Sequence, residues 1–184
     1  MAGLSVNGGE MVWPGTLLGL SVIVLLVLAA GADIATRTIP NTIPATVAVI
    51  GLLVRILAGP RAFSASAAAA GVLFVLLLLP HARGWFGGGD VKLIAATAIG
   101  FSLPSIGHFV FITAMAGGAL AMVHLLARWA LRGSPPAAPP TRGASPARRV
   151  LSAERWRITR HGSLPYGVAV ACGGIWVIVS QAGR

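Results

Sequence analysis

The chain has 184 residues, of which 56% are hydrophobic and 10% charged, with a mean hydropathy of +0.85. Soluble domains carry roughly a quarter charged residues, so a water-soluble globular domain is excluded as a first reading. Fourteen Lys and Arg against four acids give a net charge of +10, but long Leu, Val, Ala and Ile runs separate the charges, which favours a lipid bilayer as partner and leaves no basic, aromatic-studded face for nucleic acid.

A membrane-spanning helix needs about 20 apolar residues to cross a hydrocarbon core of about 30 Å. Six stretches qualify as candidates: Gly15 to Ala35, Ile43 to Leu57, Ser64 to Pro80, Asp90 to Leu103, Ile106 to Leu131 and Leu164 to Ser180. The expectation is an all-α, polytopic membrane protein of six transmembrane helices, forming one membrane-embedded domain over residues 1–184. No Lys or Arg precedes the first stretch and its apolar run is long, so it reads as a retained span and not as a cleaved signal. The fourth stretch opens at a Gly-rich turn and soon meets Pro104, which makes it too short for a full crossing and predicts a hydrated recess around Asp90.

Basic residues set the orientation, because short cytoplasmic loops are enriched in Lys and Arg. The segment 132–163 carries seven Arg, whereas the segment 1–13 carries no basic residue. The former is therefore placed in the cytoplasm. That choice puts both termini outside and the turns 37–41 and 81–89 inside; Arg61 and Arg184 then fall on the outer side, against the rule. Within the loop, 133–143 is a Pro-rich flexible linker, and Arg148 to His161 is either an interfacial helix against anionic headgroups or a solvated basic segment. Gly15, Gly19, Gly117, Gly118, Gly173 and Gly174 lie inside spans, where small residues allow close helix approach.

An acid kept at a membrane span costs several kcal/mol even on lenient scales, which makes it a functional candidate. Two of the four acids qualify, Asp33 near the inner end of span one and Asp90 at the start of span four. Each has a structural alternative: Asp33 could pair with Arg37 one turn later, and Asp90 could cap the N-terminus of span four. Neither alternative explains why both acids sit at the same membrane face. Two carboxyls sharing a site cannot both ionise cheaply, so one is ionised and one protonated, as in an aspartic protease that activates a water with one and polarises the scissile carbonyl with the other. Gly87, Gly88 and Gly89 beside Asp90 would let a substrate backbone approach closely.

Three segments together resemble the bacterial type IV prepilin peptidases, intramembrane aspartyl proteases marked by Gly-x-Gly-Asp. They are Asp33-Ile-Ala-Thr-Arg-Thr-Ile-Pro-Asn41, Gly87-Gly-Gly-Asp-Val-Lys-Leu-Ile94 and Leu164-Pro-Tyr-Gly-Val-Ala169. The third is similar to the short branch that serves tight-adherence (Flp) pili. The resemblance implies Asp33 and Asp90 as the catalytic pair, prepilins or pseudopilins as substrates, no cofactor or metal, and a bacterial inner-membrane location with the catalytic side cytoplasmic. Long members carry a cysteine-bearing domain linked to N-methylation of the new pilin terminus; this sequence has the single Cys172, so leader cleavage without methylation is expected. Lys92 could hold one carboxylate ionised or snorkel to headgroups. Pro40 and Asn41 could shape the turn that holds Asp33 or meet substrate.

Other hydrolytic sites have little support. There is no His-Glu-x-x-His, the four histidines are scattered, and no Gly-x-Ser-x-Gly elbow occurs. Two rival classes stay open: a small transporter whose acids bind cations or relay protons, and a non-catalytic scaffold for pilus assembly. The orientation is directly testable: a tag inserted in the Pro-rich loop should be accessible only from the cytoplasm and a C-terminal tag only from outside, and the reverse labelling would place the acids on the wrong face for leader cleavage.

Overall fold

The computed structural model describes residues 17–84, 87–131 and 164–182, together with the backbone of Val6–Asn7 and Glu10–Met11, which pair as a short antiparallel ladder. The described fold is otherwise all-α and has six helices: α1 Leu17–Thr36, α2 Thr42–Leu57, α3 Pro60–Ala82, α4 Gly88–Ile99, α5 Leu103–Ala130 and α6 Tyr166–Ala182. Of these, α1, α3 and α5 are long and apolar enough to cross a membrane. By contrast, α4 has 12 residues, about 18 Å at about 1.5 Å per residue. The basic loop 132–163, and with it the choice between interfacial helix and solvated segment, lies outside the described residues.

The element boundaries that differ most from the sequence reading lie at prolines. α3 begins at Pro60 behind Gly59, whose φ of 111° suits a glycine, so Arg61 belongs to the first turn of the helix and not to a connecting turn. Pro104 does not end the fourth helix. α4 stops at Ile99, and Pro104 lies in the first turn of α5, where the missing proline N–H has no intrahelical partner to lose.

The helices pack as two groups, α1 and α5 against α6, and α2 and α3 against α4, with α4 also touching α6. Most of α4 is buried, including Val91, Leu93, Ile94, Ala96 and Ala98. The long helices instead turn Leu20, Val24, Val75, Leu79, Phe111 and Met115 outward, the apolar exterior that lipid requires. Because lipid tails are as apolar as leucine, close packing and interhelical hydrogen bonds must supply the cohesion. A Cβ on Gly51 of α2 would lie 2.9 Å from the Gly100 nitrogen at the end of α4, and Gly117, Gly173 and Gly174 are likewise in close contact with neighbouring helices. Gly118 faces open space, so the packing role expected of it from sequence does not apply. Ser66 Oγ donates to the Phe101 carbonyl at 2.7 Å, and Gln181 Nε2 donates to Ser105 Oγ at 2.8 Å. These bonds fasten α3 to the end of α4 and α6 to the start of α5. Filling the Gly51 contact should be costly: Gly51→Leu should destabilise the protein by about 1–3 kcal/mol through overpacking, whereas Gly118→Leu should be close to neutral, as read by thermal unfolding in detergent.

Candidate active site

The position of Asp33 follows from helical periodicity. The buried residues of α1 are Gly19, Val22, Leu26, Ala29 and Asp33, steps of three and four that form one stripe facing the interior. Asp33 stands on that stripe and is only 5% exposed. A carboxylate buried there needs donors. One is the backbone N–H of Gly167 at the start of α6, which donates to Asp33 Oδ2 at 2.7 Å. One turn later α1 ends. Arg37 adopts a left-handed conformation with φ 56°, its N–H donating to the Asp33 carbonyl at 2.9 Å, and Thr36 Oγ1 donates to the Ala32 carbonyl at 2.9 Å. The chain then turns through Ile39 and Pro40 to Asn41, the N-cap of α2.

Asp90 is held by the start of α4. Gly87 is the extended N-cap residue, with φ −66° and ψ 143°, so Asp90 occupies the third helical position. Its carboxylate reaches back to the Gly87 backbone N–H, one half of a capping box. A Cβ on Gly87 would stand 2.9 Å from Asp90 Oδ2, one on Gly89 would stand 3.2 Å from Ile39 Cβ, and one on Gly88 would stand 3.4 Å from the His81 ring. The sequence suggests that these three glycines make room for substrate. In the structure the chain's own atoms take that room: the Asp90 carboxyl, the end of α3, and the turn that follows α1. Gly89 in particular lets the 37–41 turn settle on the first turn of α4.

That docking brings Asp33 and Asp90 within electrostatic reach of each other, and the Arg37 guanidinium within reach of Asp90. Asp90 is 9% exposed. Tyr166, which opens α6, also lies within reach of Asp90. Lys92 is directed elsewhere: its Nζ donates to Asn41 Oδ1 at 3.1 Å in an exposed contact, tying the start of α4 to the start of α2. Lys92 and Asn41 also border one end of a groove of about 470 Å³ between α2, α3 and α4, lined largely by Ala45, Ala48, Ala67, Ala70, Ala95 and Ala96. The structure therefore brings together Asp33, Asp90 and the three glycines, and sets Pro40, Asn41 and Lys92 along the adjoining rim.

Four further residues border the site to which the sequence reading gave no place there. Arg37, read there as a partner for Asp33, has its charge in reach of Asp90. His81 covers Gly88. Tyr166 and Gly167 close the third side, and their only signal in sequence was the Pro-Tyr-Gly run at the head of the last span. The chemical capacity of the arrangement is that of two partly buried carboxyls sharing one charge environment, one able to take a proton from water while the other donates a hydrogen bond.

A family model described as the type IV leader peptidase family matches residues 20–122. That stretch is more than half of the chain and contains both Asp33 and Asp90, but it ends before Tyr166. No curated protein matches the chain, and no solved structure does. The rim contact has a measurable weight: because the Lys92 to Asn41 bond is exposed, Lys92→Ala and Asn41→Ala should each lower stability by less than about 1 kcal/mol, and a double-mutant cycle by chemical denaturation in detergent should return a coupling of the same small size.

Proposed function

The chain belongs to the type IV leader peptidase family, and from that premise we propose that it removes the basic leader of a prepilin at the cytoplasmic face of the membrane, with Asp33 and Asp90 as its catalytic dyad. The observation that carries this reading is that two buried carboxylates, from α1 and α4, lie within electrostatic reach of each other at the same end of an apolar helix bundle. Such a pair suits peptide hydrolysis. The ionised carboxylate takes a proton from a water as the water oxygen attacks the scissile carbonyl carbon, and the protonated partner hydrogen-bonds the carbonyl oxygen. Collapse of the tetrahedral intermediate breaks the C–N bond, with a proton passing to the leaving amine.

The membrane supplies the rest of the specificity. With Asp33 at the end of a spanning helix and Asp90 at the start of a short one, the reactive carboxyls lie near the surface and not at mid-bilayer. A substrate cut there is one whose polar leader meets an apolar segment at that depth. The basic 132–163 segment supports a cytoplasmic orientation for this end, and hence a multi-pass protein of the bacterial inner membrane. The Leu164-Pro-Tyr-Gly-Val-Ala169 run supports Flp-type prepilins as substrates. With Cys172 the single cysteine of the sequence, the proposal is limited to leader removal without methylation. Pro40, Asn41 and Lys92 shape the rim of the site, and Gly87, Gly88 and Gly89 its floor.

Co-expression with a Flp-type prepilin tests the reading. Mass spectrometry of the pilin N-terminus should find the leader removed and the new terminus unmethylated. Asp33→Asn and Asp90→Asn should each lower processing by at least about 100-fold, the scale of a lost general acid or base, without loss of folded protein. Normal processing by either variant would overturn the dyad.

A further inference from the structure

The first turn of α6 touches the site without contributing an acid, and it lies outside the stretch that the family model matches. We propose that Tyr166 and Gly167 form a positioning element that holds the Asp33 carboxylate in its working place, an inference that rests on the reading of Asp33 as catalytic.

The first N–H groups of a helix have no partner within it. Here the Tyr166 N–H donates to the Leu164 carbonyl and the Val168 N–H to the Pro165 carbonyl. The Gly167 N–H between them points out of the helix, to Asp33 Oδ2 at 2.7 Å, across 134 residues of sequence and inside a buried environment. Gly167 has no side chain because none fits: a Cβ would stand 2.9 Å from Asp33 Oδ2 and 3.0 Å from Asp33 Cβ. Any larger residue must therefore push the carboxylate aside or shift the helix.

What fixes the helix start is the residue before. The Tyr166 ring lies in a notch on α5 made by Gly117, where a Cβ would stand 2.7 Å from Tyr166 Cε2 and 3.1 Å from Cζ. The ring therefore keys α6 to α5, and the next residue's N–H transmits that placement to Asp33 on α1. The same turn bonds Asp33 and lies within electrostatic reach of Asp90. A packing role alone would predict no more than the other close glycines of this helix provide. Gly174 is a fair comparison, since a Cβ there meets Leu26 Cδ1 at 2.7 Å, on the same two helices but away from the acids.

The test is steady-state cleavage of a synthetic prepilin by purified enzyme in lipid nanodiscs, with rates expressed per folded enzyme. Gly167→Ala should lower kcat by at least about tenfold with KM within about twofold of wild type, in line with the penalty for a misplaced catalytic group. Gly174→Ala should keep kcat within about twofold, although it also crowds the contact between α1 and α6. Wild-type kcat in Gly167→Ala, or an equal fall in Gly174→Ala, overturns the inference. Should Gly167→Ala fail to fold, the ring decides: Tyr166→Phe, which keeps the ring in the Gly117 notch, should stay within about threefold of wild type, and Tyr166→Ala should fall at least about tenfold. Equal rates in those two variants overturn the inference. A wild-type enzyme that does not cut, or an Asp33→Asn variant that cuts as fast as wild type, overturns instead the leader-peptidase reading beneath it.

Discussion

Everything in this molecule is arranged around the cost of keeping two carboxylates at one end of an apolar bundle. An uncompensated acid in such surroundings costs several kcal/mol, and the chain meets that cost with helix ends. Asp33 receives the Gly167 N–H from the start of α6, and Asp90 receives the Gly87 N–H at the start of its own helix. Both donors sit at helix N-termini, where unpaired N–H groups and the positive end of the helix dipole favour an anion. Arg37 adds a full positive charge within reach of Asp90. The acids are thus tolerable where they stand.

The rest of the architecture follows. At the site, the end of α1 comes together with the first turns of α4 and α6. α4 is the short one, with a polar end at the site and a buried apolar body. Around it the longer helices present leucine, valine and phenylalanine outward, while glycines at the crossings allow the backbones to approach. The site is in this sense a consequence of packing as much as of polar chemistry. If α2 rides differently on the end of α4 at Gly51, or the 37–41 turn fails to settle on Gly89, the two acids no longer share a charge environment.

Much of this was legible in the sequence, for physical reasons that can be stated. Asp33 stood out as an acid at the inner end of a long apolar run, but the buried stripe it stands on was not legible, because α1 is apolar on every side. The capping role of Asp90 was legible because an acid shortly after an extended glycine is what a helix N-terminus recruits. The six helices, and the shortness of the fourth, followed from apolar runs and their breaks. Other features were hidden because they depend on backbone groups or on three-dimensional neighbours. The Gly167 N–H leaves no side-chain signature, and the left-handed turn at Arg37 is unusual for a residue with a Cβ. Nor does the sequence reveal that the Gly87 to Gly89 run makes room for the chain's own Asp90, His81 and Ile39. Pro104 misled on the end of α4 because a proline stops one helix and starts another equally well.

The central claim is that the ends of α1 and α4 bring Asp33 and Asp90 into one site. Its most direct test is a cysteine pair, Asp33→Cys with Asp90→Cys in a Cys172→Ala background, with a protease site inserted in the turn between α2 and α3. A short bifunctional thiol reagent should join the two positions in membranes, so that the fragments stay linked after proteolysis, whereas the fragments of a control pair on either side of the cut, Leu20→Cys with Val75→Cys on the outward faces of α1 and α3, should separate. Fragments of the Asp33 and Asp90 pair that separate as freely as those of the outward-facing pair would contradict the account.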